Sequence, residues 1–448
     1  MTGRSPDPEP APLSRDQAKW RWRVLVATYF AYAGFYLTRK VFTLCKPQLA
    51  SEFHVGIDRI AHIWTVYLIA YAGGQVLNSF IGRRWGPRVL LLGGFGASIA
   101  INLVFGLTDS YWTFLGFMFF NGIAQAAGWP GCVGGISQWL RKKERGTVMG
   151  FWSTNYLVGN ILVKSIGGLL LAQYGAAHGW RYAYFACTAA AFAIWWLVFL
   201  WQRDRPEDLG LAPIVGGEGE AGQIVAASTA ERVGLREYSR IALNPVILLL
   251  GASYFGIKFL RYSLDSWAPT FLQYQGMSAS SGAFWSLWFD YAGLPGAILA
   301  GWLLDRWFRG RWPMLVTLMC VGMALAYTGV SMLGTSPHAL ALWYGAVGLM
   351  LYGPDTLLCG AVAVEVAGEV NAVAVAGIVN GIGSFGPILQ EEVIGHVMRG
   401  ADHRASMAAV NLLTLRMSLM VVAMMLALTA YVRWSRRRAC LRVEAAAE

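Results

Sequence analysis

The chain has 448 residues, of which 56% are hydrophobic and 14% charged, with a formal net charge of +11. Soluble domains carry about 25% charged residues. A soluble globular domain is therefore excluded, and apolar runs that can each cross roughly 30 Å of hydrocarbon mark a polytopic membrane protein. The positive balance does not indicate nucleic acid, because the basic residues sit in connections between apolar runs, where they set topology.

Residues 1–21 form a Pro-rich cytoplasmic tail without the charged, apolar and small-residue succession of a cleaved signal. Six spans follow, near 22–44, 59–81, 88–107, 111–138, 147–172 and 180–201. Segment 202–245 contains "RDRPEDLGLAPIVGGEGEAGQ", rich in Gly, Glu and Pro, and reads as a cytoplasmic connecting loop. Six further spans fall near 246–275, 282–304, 313–333, 339–363, 371–398 and 405–434, ahead of a basic cytoplasmic tail at 435–448. Helices are expected throughout, because backbone in lipid must be satisfied within a helix or a closed barrel. Barrel strands would be short and alternating, which these runs are not. The expected architecture is an all-α membrane protein of twelve transmembrane helices, in two pseudo-symmetric six-helix bundles, 22–201 and 246–434.

Charge placement orients the chain. With both termini in the cytoplasm, that side receives Arg15 to Arg23, then Arg83, Arg84 and Arg88, then Arg141, Lys142, Lys143 and Arg145. It also receives Arg203, Arg205, Arg232, Arg236, Arg240, Arg306, Arg309, Arg311 and the run from Arg433 to Arg442. The other side has little beyond Lys46, Arg59, Arg181, Arg399 and Arg404. This is the positive-inside asymmetry. The six cysteines are scattered, with no paired spacing, and read as free thiols.

The halves repeat one another. "FYLTRKVFTLCKP" in the first span has its echo in "KFLRYSLDSWAP" in the seventh, and in each a proline follows the arginine by eight positions. The loop after span two reads "GRRWGPR" and that after span eight "DRWFRGRW". Parallel repeats of this kind place a substrate site near the midplane, between the halves. Arg39 and Arg261 lie at equivalent depth, about 22 Å of helix into their spans at 1.5 Å per residue. An arginine at that depth costs about 2.5–3.5 kcal/mol on insertion scales, so such residues mark pathways by default.

Tyr32, Tyr36 and Arg39 share one helical face, as do Lys258, Arg261 and Asp265. Guanidinium and phenol donors on one face suit an oxyanion. Asp265, one turn beyond Arg261, is expected to be able to hold its rotamer, which makes that pair a structural alternative. Lys40 points about 100° from Arg39, toward either the cavity wall or a neighbouring helix, and Lys164 is equally open. Asp290, Asp355, Glu391 and Glu392 are acids at depth. The adjacent glutamates cannot face the same way, so one is expected in the protein interior. His62 and His396 read as packing residues. Pro130, Pro295 and Pro387 sit beside glycines within spans, where kinks are tolerated. GxxxxGK[ST], HExxH and GxSxG are all missing, so neither an ATP-driven pump nor an enzyme is indicated.

At "FYLTRK", "GWPGCVGGISQWLRKKERGTVMGFW", "RDRPEDLGL", "LRYSLDSWAPTFL" and "DYAGLPGAILAGWLLDRWFRGR" the chain resembles the organophosphate:phosphate antiporter family of the major facilitator superfamily. That family includes glycerol-3-phosphate and hexose-6-phosphate transporters and a related hexose-phosphate sensor. The resemblance runs through nearly all twelve spans. It implies phosphate binding by Arg39 and Arg261, with Tyr32, Tyr36, Lys40 and Tyr352 at matching cavity positions. Asp265 follows Arg261 as in the hexose-phosphate branch. Departures fall at Gln75, Tyr156 and Lys258, where the glycerol-phosphate transporter has a lysine, a histidine and a tyrosine. Pro387 and Gln390 replace an Asp and a Lys of the hexose-phosphate transporter. Arg83 replaces a loop aspartate whose counterpart, Asp305, is kept.

The expected function is exchange of a phosphorylated organic anion, of the sugar or glycerol phosphate class, for inorganic phosphate by alternating access. Gating or coupling is expected from among Asp290, Asp305, Asp355, Glu391 and Glu392. No cofactor or metal is expected. The protein is expected to act as a monomer, in a bacterial inner membrane. Two alternatives remain at this level. One is a hexose-phosphate sensor of the same fold, partnered by a sensor kinase. The other is a proton-coupled exporter of drugs or metabolites using Glu391 or Glu392.

Overall fold

The computed structural model describes residues 12–141, 144–214, 243–308, 311–334, 336–359 and 361–444. Most of the expected connector, with Arg232, Arg236 and Arg240, lies outside the described residues. So do residues 1–11, Lys142, Lys143, Arg309 and the side chains of Arg83, Arg145, Cys359 and Cys440. Among the described residues all regular structure is helical.

Helix α1 (Arg15–Leu37) starts at a capping box. The Ser14 hydroxyl accepts from the Gln17 N–H while the Gln17 side chain accepts from the Ser14 N–H, satisfying two otherwise unpaired donors. The first span is not one helix. After α1 the chain turns at Thr38 and Arg39 into α2 (Lys40–Leu44), then at Cys45 into α3 (Lys46–Glu52). Pro47 is in the first turn of α3, where a missing N–H costs nothing.

Helix α4 (Ile57–Leu107) joins the second and third predicted spans through Gly86, whose φ of 84° breaks the helical course ahead of Pro87. The fourth span is divided into α5 (Tyr111–Gln125) and α6 (Gly128–Ser137). Next come α7 (Arg145–Trp152) and α8 (Asn155–Trp201), the latter broken at Gly175 with φ 73°. A short 3-10 turn, Pro206–Leu209, opens the connector.

The second half begins with α9 (Pro245–Tyr274), capped by the Asn244 side chain on the Val246 N–H. It continues through α10 (Ala279–Trp285), α11 (Leu287–Arg306), α12 (Trp312–Leu333), α13 (Pro337–Cys359), α14 (Ala361–Val397) and α15 (His403–Glu444). Among the described residues six helical stretches have the length and apolarity of a complete membrane span: Arg84–Leu107, Asn155–Trp201, Pro245–Tyr274, Ala279–Arg306, Trp312–Leu333 and His403–Trp434.

Helices α1 to α8 pack on one another, as α1 on α8 and α4 on α5, and α9 to α15 do likewise, as α11 on α13 and α9 on α14. The halves meet where α4 lies on α14, α8 on α10 and α11, and α2 on α9. Side-chain hydrogen bonds and ion pairs join the bundles around Lys40 and Lys164 and toward the end away from the chain termini. There Gln48 meets Gln273, Lys46 meets Glu391, His62 meets Glu392 and Asp58 meets Arg399.

Candidate functional site

Two arginines reach the interface from opposite bundles. Arg39 occupies the break between α1 and α2. Its guanidinium stands 3.8 Å from the centroid of the Tyr36 ring and 5.9 Å from that of Tyr32, within cation–π range. Its Nη1 donates to the Tyr67 hydroxyl at 3.4 Å. Arg261 comes from the middle of α9, and its Nη1 donates to Asp355 Oδ2 at 2.6 Å. Its guanidinium lies 5.0 Å from the Tyr352 ring and 5.2 Å from that of Tyr156. Tyr156 is on α8, so Arg261 already touches the other bundle.

Tyr262 lies between two cations, its ring 5.7 Å from Arg261 and 5.8 Å from the Lys40 ammonium. The arginines are linked through rings: Tyr36, under Arg39, lies 6.4 Å from Tyr156, which faces Arg261. The Nε atoms of Arg39 and Arg261, the Tyr352 hydroxyl and Asp355 Oδ1 are buried without a partner among the described residues. Buried polar groups are ordinarily hydrogen-bonded. Three of these four can donate, which matches the needs of an oxyanion.

Asp265 does not hold Arg261. It accepts from Lys40 Nζ at 2.5 Å and from Asn160 Nδ2 at 3.0 Å, both from the other bundle. The four-residue spacing along α9 permits the expected pair, but α2 delivers an amine straight across the interface to Asp265, and Asp355 on α13 takes the guanidinium. Lys40 therefore faces the opposite bundle. Lys164 does the same, pairing with Asp290 and donating to the Ser286 carbonyl at 3.2 Å. Asn160 also donates to Asp290, at 3.2 Å, which ties these pairs into one buried network.

Residues 28–390 match the family model described as Major Facilitator Superfamily. The chain belongs to that superfamily. It is thus an integral, multi-pass membrane protein. It is 28% identical over 375 residues to the glycerol-3-phosphate transporter of Bacillus subtilis, covering 82% of this chain and 83% of that one. It is 26% identical over 386 residues to the membrane sensor protein UhpC of Salmonella typhimurium, covering 83% and 86%. Among solved structures, a bacterial homologue of the human lysosomal transporter Spinster, inward-facing and unoccupied, aligns with a TM-score of 0.67. That alignment covers 92% of this chain and 96% of the other at 17% identity, a likeness of fold alone.

In this superfamily member the remaining residues singled out in the sequence separate into groups. Tyr32, Tyr36, Lys40, Tyr156, Tyr352 and Asp355 join the two arginines. Lys258, one turn along α9 from Arg261, donates to Asn380 Oδ1 at 2.7 Å and to Ser384 Oγ at 3.5 Å. Gln75 is exposed on α4, and no contact among the described residues ties it to the arginines. Asp305 is exposed near the end of α11. Glu391 is fully buried at the interface and accepts from Lys46, from Ser266 at 3.0 Å and from Trp267 Nε1 at 2.8 Å. Glu392 points outward to the exposed His62 at 2.8 Å, so His62 is a hydrogen-bond partner across the interface and not a packing residue.

Sequence reasoning passed over Tyr67, Tyr262, Asn160 and the buried role of Lys46. Tyr262 adjoins Arg261, and Tyr67 lies four residues before Tyr71 on one face of α4. Those spacings were the available signal. Lys46 gave none, because a cation at the end of a span reads as a topological charge.

Proposed function

We propose that this protein exchanges a phosphorylated organic anion for inorganic phosphate by alternating access. The observation that carries the reading is the convergence of Arg39 and Arg261, one from each bundle, on the neighbouring rings of Tyr36 and Tyr156, with the Nε of both buried and unpartnered among the described residues. The surrounding charges agree with it. Arg39, Lys40 and Arg261 outnumber Asp265 and Asp355, leaving this cluster positive. Forked guanidinium contacts suit phosphate oxygens. Several relatives are named for glycerol phosphate, hexose phosphate or sugar phosphate.

In this reading the chain has twelve spans with both termini cytoplasmic, and the contacts described above close the outer side. Two like charges repel and are poorly solvated when the halves close around an empty site. A bound dianion offsets them and draws the halves together, so reorientation is favoured only when loaded. The test is phosphate self-exchange in reconstituted vesicles. Exchange is expected in the wild type and lost in Arg39→Lys and in Arg261→Lys, since lysine cannot make the forked contact. Normal exchange in either variant sinks the proposal.

A sensor is the second reading, favoured by the likeness to a protein named as a membrane sensor. Phosphate-ester binding with no measurable flux in the same vesicles would select it.

A further inference from the structure

One turn toward the chain-terminal end from Arg261, α9 and α14 hold a third cation in a built setting. Lys258 is three residues before Arg261, about 4.5 Å along the helix axis, on the same face of α9 as Arg261 and Asp265. Its stem runs over Gly383, where a Cβ would stand 3.3 Å from Lys258 Cδ and 2.4 Å from Tyr254 Cδ1. A side chain at that position would crowd both residues. The ammonium donates to Asn380 Oδ1 and Ser384 Oγ, and lies 4.9 Å from the centroid of the Tyr254 ring. Ser384 donates its own proton to the Asn380 carbonyl at 2.7 Å, so its oxygen is committed to accepting from the lysine. The side chain is half-buried, and it extends from the face of α9 that carries Arg261 and Asp265.

We propose that Lys258, positioned by Asn380 and Ser384, recognises a second acidic group on the substrate, so that the preferred organic anions are phosphorylated carboxylic acids or bisphosphates, not phosphorylated alcohols. This rests on the phosphate reading of Arg39 and Arg261. The spacing fits: a carboxylate separated from a phosphate ester by a few single bonds of about 1.5 Å reaches one turn along α9 from the phosphate. A fixed ammonium separates the two classes by charge, because a carboxylate adds a Coulombic attraction that a neutral hydroxyl bonded to the same ammonium lacks.

The experiment compares 3-phosphoglycerate with glycerol 3-phosphate as competitors of labelled phosphate self-exchange in vesicles. The two probes differ in a carboxylate against a hydroxymethyl group. The wild type is expected to favour the acid by on the order of tenfold, the worth of one charge-assisted bond. That ratio is expected to collapse toward one in Lys258→Met and to persist in Lys258→Arg. Equal competition in the wild type overturns the inference without any variant, as does a ratio that survives in Lys258→Met. Phosphate exchange without the preference overturns this inference alone. Absence of phosphate exchange in the wild type overturns the transport reading, and this one with it.

Discussion

In the proposed exchange, Asp355 and an incoming anion would compete for the Arg261 guanidinium. Arg261 is bonded to Asp355 at 2.6 Å, and both side chains are largely buried. Asp355→Asn keeps the size and removes the charge. Breaking a buried pair by neutralising one partner costs about 3–5 kcal/mol, so the ligand-free protein is expected to melt earlier. Phosphate then supplies the missing counter-charge, and the phosphate-induced rise in melting temperature should exceed that of the wild type. An equal or smaller rise would mean that Asp355 does not compete with the anion. The arginines themselves were legible in the sequence, because a costly residue placed twice in the same local setting needs a reason. Their partners were not. Asp265 is the acid nearest Arg261 in the chain, whereas Asp355 lies 94 positions away. Which acid wins depends on which helices adjoin, and no spacing rule along a single helix contains that information.

At the scale of elements, apolar run length pointed to helices, six stretches of which among the described residues have the length and apolarity of a complete span, and turn chemistry located some of the breaks. Gly86 lies in the basic loop already visible as "GRRWGPR", and its φ of 84° with ψ of 162° falls in a region that essentially only glycine adopts. Space is short as well, since a Cβ there would stand 2.8 Å from Asp204 Oδ2. Gly86→Ala should therefore lower the melting temperature in detergent, and an unchanged value would show that the turn relaxes freely. Asp204 accepts from the Arg88 N–H at 2.8 Å, yet burial raises its carboxyl above the usual range. A raised acid favours the protonated folded form, so its stabilising contribution is complete below the unfolded value near 4 and is lost as pH rises through the folded one. Asp204→Asn should flatten that part of a melting-temperature profile against pH. A profile that keeps the wild-type slope would assign it to other groups. The breaks at Thr38–Arg39 and at Cys45 were invisible by contrast. Neither stretch carries the glycine that marks Gly86, and the turn at Arg39 is held by its N–H bond to the Tyr36 carbonyl, its stacking on the Tyr36 ring and one tertiary contact, to Tyr67.

At the scale of the whole molecule, the polar connector and the internal echo led to an expected two-bundle division, but nothing in the sequence showed which helices meet between the halves, such as α4 on α14 and α8 on α10. The buried Lys46–Glu391 pair joins the halves beyond the arginines, with Lys46 also donating to Ser266 at 2.8 Å and stacking 3.7 Å from the Trp267 ring. Separating the halves there would leave Glu391 its bonds from Ser266 and Trp267, which share its bundle, and remove only the cation. Lys46→Met does the same without separation, leaving a buried carboxylate short of its counter-charge at about 3–5 kcal/mol. About 5.5 kcal/mol carries a two-state equilibrium from 1:99 to 99:1, so in the proposed alternating-access cycle this loss is large enough to populate a form open at that end. Spin labels at Arg59→Cys and Arg404→Cys, exposed positions on opposite halves, can read the shift once Cys359 and Cys440 are replaced; Cys45, Cys132, Cys187 and Cys320 are buried. Lys46→Met should add a longer distance component, and adding Glu391→Gln should shrink it, because the stranded charge is then gone. A variant that loses stability with no longer component would make the pair a fastening within one state. A longer component that Glu391→Gln fails to reduce would place the energetic difference in the packing of Lys46 on Trp267 instead of in its charge.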